Sequence, residues 1–316
     1  MSIRYAGVSS SILDAVGDTP LLELEEGIFA KCEFLNPSGS IKARIAKYII
    51  ERAEREGRLK PGDTIVEATS GNTGNAFSMV AAVKGYRMIV VMPEGLSSER
   101  VAISRAFGAE VLLCGSFHVN AALERARELG QRPGFFFPGQ FENEWNVEEN
   151  RDILGPEILA QLPAGRMPDA FVHGVGTGGT LIGVGQAFRA VHPGVRLFAM
   201  EPSESCTLLC GEVALHQIEG ISDGFVPGIF ARHRDLVRDF LGVSSADAVA
   251  AMRDLARQRG LLCGPSSGAH FLAARRIREL FPEIRTVVTV LADEGEKYLH
   301  DFYMTPGDET AAPPLH

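Results

Sequence analysis

Ala170-Phe-Val-His173, then Gly174-Val-Gly-Thr-Gly-Gly-Thr180, then Leu181-Ile-Gly-Val-Gly-Gln-Ala-Phe188 run without a break, and their reading decides the fold. A short apolar strand leads into a loop too rich in glycine to be regular, and the loop opens a helix. The same order recurs at Thr64-Ile-Val-Glu-Ala68, Thr69-Ser-Gly-Asn-Thr-Gly74 and a helix over residues 74–84. Further strands read at Arg87-Met-Ile-Val-Val-Met92, Glu110-Val-Leu-Leu-Cys114, Arg196-Leu-Phe-Ala-Met200 and Thr286-Val-Val-Thr-Val-Leu291. Helices are expected over 97–107, 121–129, 246–258 and 267–280. Strands alternating with helix-length amphipathic segments signal βαβ units, so the expected class is α/β with mostly parallel sheets.

Residues 134–162 interrupt this rhythm with Phe135-Phe-Phe-Pro-Gly-Gln-Phe141 and a polar, acidic helix start, as a crossing between two halves would. We expect two domains, each a mostly parallel twisted sheet flanked by helices. Residues 40–145 form the smaller, mobile one, residues 1–39 with 146–305 the larger, and 306–316 a frayed tail. Ligands of open parallel sheets sit at the carboxyl ends of strands, where both glycine-bearing loops fall.

The 316 residues carry a net charge of -9 and are 45% hydrophobic and 22% charged, a globular composition without the basic face that nucleic acids need. No apolar run reaches the roughly 18 residues of a membrane helix. Cys32, Cys114, Cys206, Cys210 and Cys263 are odd in number and scattered, and no cleavable apolar leader follows Met1-Ser-Ile-Arg4. The expectation is a cytoplasmic protein with reduced thiols. Cys206 and Cys210 could face each other on a helix, but no further ligand completes a metal site, so they read as buried free thiols. No metal is expected.

Lys42 lies in Asn36-Pro-Ser-Gly-Ser-Ile-Lys-Ala-Arg44. An arbitrary lysine on the first turn of a helix over 41–52 is a surface residue. Here a turn presents the helix start, and a lysine held in a low-polarity cleft loses its proton and becomes an imine-forming amine. In Thr69-Ser-Gly-Asn-Thr-Gly74 capping alone needs one hydroxyl; several, with free amides, suit an amino-acid carboxylate held by Thr69, Ser70 and Thr73. Asn72 is then in reach of a cofactor's ring hydroxyl. The Gly176-Thr-Gly-Gly-Thr180 loop has neither the lysine of a nucleotide-binding P-loop nor a ribose-anchoring acid, so a small cofactor phosphate fits it better than a dinucleotide. Together these loops and Lys42 point to lysine-bound pyridoxal phosphate.

In order along the chain stand Gly17-Asp-Thr-Pro-Leu21, Lys42, the Thr69 loop, Met92-Pro-Glu94, Gln140-Phe-Glu-Asn143, Gly155-Pro-Glu157, the Gly176 loop, Gly220-Ile-Ser-Asp-Gly-Phe-Val-Pro227, Gly264-Pro-Ser-Ser-Gly268 and Asp293-Glu-Gly-Glu-Lys-Tyr-Leu299. With these, nearly the whole chain resembles the cysteine synthase and cystathionine β-synthase family of pyridoxal phosphate enzymes. The resemblance implies fold type II, the tryptophan synthase β-like architecture, and commonly a homodimer. It implies Lys42 as the Schiff-base lysine, Asn72 on the ring oxygen, Gly176, Thr177, Gly178, Gly179 and Thr180 around the phosphate, and Ser266 on the pyridine nitrogen. It implies that Thr69, Ser70, Gly71, Thr73 and Gln140 grip the substrate carboxylate, with Gly220 and Asp223 beside the substrate. A serine hydroxyl cannot keep the pyridine protonated as an aspartate does, which favours β-elimination over transamination. The bland reading of Ser266 is an N-cap.

The implied reaction is β-replacement on an activated serine such as O-acetylserine. Lys42 takes the α-proton, the β-group leaves, and sulfide or a thiol attacks the α-aminoacrylate to give L-cysteine. The 97–105 loop and the smaller domain close over the substrate. Ala43, Asn150 and Pro265 depart from common family residues without removing a catalytic group. Asp223 stands where cysteine-forming relatives usually carry a small residue. Its carboxylate would repel a phosphorylated donor and hold the amine of an amino-acid thiol, unless it merely caps the turn before Gly224. Cystathionine formation from serine and homocysteine, synthesis of another β-substituted alanine, and a catalytically silent binding role are the alternatives. His173, His216 and His270 read as packed or solvated residues.

Overall fold

The computed structural model describes residues 8–95, 98–116 and 118–304. The tail at 306–316, the start at Met1-Ser-Ile-Arg4 and Ser97 of the expected closing loop lie outside them.

The elements follow the expected alternation. A hairpin of β1 (Leu21–Glu25) and β2 (Ile28–Cys32) precedes α1 (Lys42–Arg55). Then come β3 (Thr64–Ala68), α2 (Asn72–Lys84), β4 (Arg87–Glu94), α3 (Ser98–Ala106), β5 (Glu110–Ser116), α4 (Asn120–Gly130) and β6 (Phe135–Phe136). Helices α5 (Trp145–Glu149) and α6 (Gly155–Gln161) lead to β7 (Ala170–Gly174), α7 (Gly179–Val191), β8 (Arg196–Pro202), α8 (Gly228–Arg232), β9 (Asp239–Val243), α9 (Ser245–Arg259), α10 (Pro265–Leu280) and β10 (Val287–Leu291). They form two sheets, one of order β5-β4-β3-β6 and one of order β1-β2-β10-β7-β8-β9. Every pairing is parallel except β1 with β2.

Parallel strands covered by helices on both faces must be apolar on both, and these are. Ala170, Val172, Phe198 and Met200 face one core beside α9 and α10. Phe171, Leu197, Ala199 and Val290 face the other, beside α7. Gly185 lets α7 approach β8 closely, because a Cβ there would lie 2.4 Å from Leu197 Cδ1.

Two expectations about cysteine are corrected. Cys206 and Cys210 form a disulfide, with Cα atoms 5.3 Å apart. They lie on a turn between β8 and α8 rather than a helix, and Cys210 is exposed. The fold reverses the chain through Thr207–Cys210, with Cys210 N donating to Cys206 O, so the sulfurs meet outside any core. Cys32 and Cys263 are buried free thiols, and burial pushes each up to about 12.

Candidate functional site

The chain turns four helices so that their first residues line one pocket. Lys42 opens α1, Asn72 and Thr73 open α2, Thr177 precedes α7 and Ser266 opens α10. None of these four helices has a side-chain cap. Some first-turn amides are taken up locally, Lys42 N by Ser40 Oγ, Gly179 N by Thr177 Oγ1 and Ser267 N by Gly264 O, but the positive dipole ends of the four helices converge on the pocket, where an anion can use them. Ser266 is the second residue of α10 and Gly264 is the N-cap, so the capping reading of Ser266 does not hold.

Lys42 is delivered by the turn at 36–40, where Ser38 and Gly39 take the left-handed conformation at φ 66° and 67°. Among the described residues its Nζ has no hydrogen-bond or ion-pair partner. Burial lowers the pKa of Lys42, and Asp223 and Asp293 work against that shift. An amine of lowered pKa, unpaired and facing a pocket, is a nucleophile and a base.

In the Thr69 loop, Thr69 Oγ1 accepts from Gly71 N at 2.9 Å. A Cβ on Gly71 would lie 2.2 Å from Arg100 Cδ, so the arginine packs directly on this turn. Thr73 donates to Gln140 Oε1 at 2.7 Å and Gln140 Nε2 donates to Ala68 O at 2.8 Å, which fixes both side chains against the loop. Behind them Glu67 is fully buried, and burial raises its carboxyl to about 8. In the second loop Thr177 Oγ1 accepts from Asn146 Nδ2 at 3.0 Å and Gly179 N at 3.2 Å. Both lone pairs are used, so the hydroxyl hydrogen is left to donate, as a phosphate oxygen requires.

Of the residues predicted from sequence, Lys42, Thr69, Ser70, Asn72, Thr73, Gln140, Gly176, Thr177, Gly220, Asp223 and Ser266 line this pocket. Gly71, Gly178, Gly179 and Thr180 continue the loops without lining it. Asp223 lines both the pocket and an outer cavity of about 370 Å³ that it shares with His118, His216 and Glu219. Burial raises the Asp223 carboxyl, while His216, Lys42 and the Ser70 hydroxyl favour its charge.

Sequence reasoning missed several pocket residues. Arg100 is 1% exposed, donates to Ser70 O at 2.9 Å and Tyr298 OH at 2.7 Å, and ion-pairs with Glu219. Desolvation opposes its charge, but Tyr298, Glu219 and Asp293 outweigh it. The Ser-Ser-Glu-Arg stretch looks like the solvated start of a helix, so only its place in the expected closing loop hinted at this role. His270 is a packed residue, accepting from Gly174 N and bonding Val290 O. The His173 ring lies against it, tilted by 37° with centroids 4.5 Å apart, and lines the pocket, and burial lowers its pKa well below the usual range.

The described residues contain no cluster able to hold a metal ion and no helix long and apolar enough to cross a membrane. The family model described as "Pyridoxal-phosphate dependent enzyme" matches residues 12–293. A cysteine synthase of Staphylococcus aureus is 42% identical over 297 residues, covering 92% of this chain and 95% of that protein. O-ureido-L-serine synthase of Streptomyces lavendulae is 41% identical over 307 residues, covering 95% and 94%. The crystal structure of an O-acetylserine dependent cystathionine beta-synthase from Helicobacter pylori superposes with a TM-score of 0.89 at 35% identity, covering 94% of this chain and 100% of that one. With the family model matching residues 12–293 and relatives matching across almost its full length, the chain belongs to the pyridoxal-phosphate dependent enzymes, in the cysteine synthase and cystathionine β-synthase family.

Proposed function

We propose that the chain catalyses β-replacement on an O-activated serine, of the O-acetylserine kind, releasing the activating group as its acid; sulfide as the nucleophile gives L-cysteine and a thiol gives the corresponding S-substituted cysteine. The observation that carries this reading is the convergence of four uncapped helix starts on one unpartnered lysine. Bound pyridoxal phosphate supplies the electron sink for a carbanion at the substrate α-carbon. Lys42 is the residue that links to it, and Thr177, Thr180 and the α7 amides hold its phosphate. Asn72 meets the ring oxygen and the Ser266 hydroxyl the pyridine nitrogen. The α2 amides with Thr69, Ser70 and Thr73 hold the substrate carboxylate, braced by Gln140. The Lys42 amine removes the α-proton and later returns it. The chain works as a homodimer, and residues 40–145 of each protomer act as a mobile unit that closes to exclude water.

A larger amino-acid thiol such as homocysteine is the second reading. The observation favouring it is Asp223, a carboxylate between the pocket and the roughly 370 Å³ outer cavity, suited to an incoming ammonium group.

The test is the visible spectrum of the purified protein with O-acetylserine, serine and O-phosphoserine added separately, followed by sulfide or homocysteine with product analysis. We expect a coloured protein, a band change with O-acetylserine, and no colour bound through the lysine in Lys42→Ala. A coloured protein that no donor shifts would overturn the activated-serine reading; a colourless one, even when supplied with cofactor, would overturn the enzyme reading.

A further inference from the structure

Behind the pocket lies a buried lysine that the proposed chemistry does not use. Lys297, six residues past β10, is 1% exposed. Its Nζ donates to Ser38 O at 2.8 Å, Gly39 O at 3.1 Å and Asn72 Oδ1 at 3.0 Å, and Glu294 Oε1 lies 3.4 Å away. Asn72 Nδ2 in turn donates to Asp293 Oδ2 at 2.7 Å. The same carboxylate oxygen accepts from Tyr298 OH at 2.6 Å, and Tyr298 OH accepts from Arg100.

These contacts remove the ambiguity of an amide. Exchanging the oxygen and nitrogen of Asn72 would turn NH2 toward an ammonium and C=O toward a carboxylate, and both contacts would be repulsive. One Nδ2 hydrogen remains uncommitted. Its donor strength is raised because the amide oxygen already accepts from a cation in a low-dielectric setting. Lys297 also ties the carbonyls of Ser38 and Gly39, the two left-handed residues of the turn that delivers Lys42.

We propose that Lys297 and Asp293 are positioning residues that orient and polarise the Asn72 amide toward the ring oxygen of pyridoxal phosphate, while Lys297 fixes the turn before Lys42. The inference rests on the proposed placing of the cofactor at Lys42 and Asn72. Through Tyr298 and Arg100 the same chain of hydrogen bonds reaches Ser70 O, so the carboxylate loop and the ring-oxygen contact form one connected unit.

The experiment compares wild type, Lys297→Met, Lys297→Gln and Lys297→Arg as holoenzymes. It measures the cofactor dissociation constant, the visible band with its pH titration, and Tm. Loss of a charge-assisted contact should weaken cofactor binding by about tenfold or more in the Met and Gln variants and shift the band or its titration. Arg, which keeps a donating cation, should restore most of both. In the background of Asn72→Ala, Lys297→Met should cost less than half, on a logarithmic scale, of what it costs alone. A lower Tm with wild-type cofactor affinity and spectrum would make Lys297 merely structural and overturn the proposal. A colourless wild type would instead defeat the cofactor placing, and the proposal with it.

Discussion

Arg44, two residues after the candidate cofactor lysine, gives the sharpest test of how the fold holds α1 in place. It is 2% exposed, and its guanidinium forms a double bridge: Nε and Nη2 to Glu33 at 2.6 and 2.8 Å, Nη1 and Nη2 to Glu157 at 2.9 Å. Glu149 lies 3.8 Å away and is also buried. Replacing Arg44 by Met keeps the bulk and removes the cation. Glu157 retains Lys31, whereas among the described residues Glu33 keeps the neutral Thr19 hydroxyl and Asn36 amide. Breaking a buried pair by removing one partner costs about 3–5 kcal/mol, because a charge is left uncompensated. We expect a loss of about 4 kcal/mol for Arg44→Met on that scale. Urea unfolding read by the fluorescence of Trp145, the chain's single tryptophan, measures it. If stranded charge is the cause, Glu33→Gln in the same chain should recover about 2 kcal/mol, since Glu157 still has Lys31. A cost below about 1 kcal/mol for the single change, or no recovery in the double variant, would refute the reasoning.

Glu67 should make stability depend on pH. Its carboxyl is raised to about 8 from 4.5, so the folded protein keeps a proton that the unfolded chain has lost. This contribution is fully present below pH 4.5 and fades as pH rises toward 8, on the order of 5 kcal/mol in all. Glu67→Gln should flatten that stretch of the pH–stability curve, and denaturant titrations at several pH values will show whether the slope persists. For Asp223→Asn we expect KM for homocysteine to rise roughly tenfold while sulfide kinetics change little; equal effects on both nucleophiles would remove its role as an ammonium acceptor. Reduction of Cys206–Cys210, or Cys206→Ser, should cost roughly 2 kcal/mol from loop closure alone, and alkylation of Cys210 should require a reductant; free labelling without one would exclude the bridge.

Much of this protein is written locally. The strand over 64–68 and the strands starting at 87, 110, 170 and 196 fall where the apolar runs lie, because a strand buried on both faces needs unbroken apolar residues. The two strand–loop–helix units that reach the pocket were legible too, since strand, glycine-rich turn and helix are consecutive in the chain. Where charge interrupts the pattern the reading failed. Glu23, Glu25 and Glu26 hid the β1–β2 hairpin; all three are exposed or half-buried at a sheet edge. The disulfide was missed because cysteines four apart suggest a helix, while the chain makes a turn there.

The α/β class, the glycine-bearing loops and the turn before Lys42 are local properties, because each depends on residues close together in the chain. Which distant charges meet is a property of the packed fold alone. Arg44 pairs with a glutamate 113 positions away, and Lys297 reaches an asparagine 225 positions before it. Read along the chain, each such charge belongs on a solvated helix face. Folding buries them, and a buried charge is tolerated only where packing brings it a partner, which no local pattern specifies.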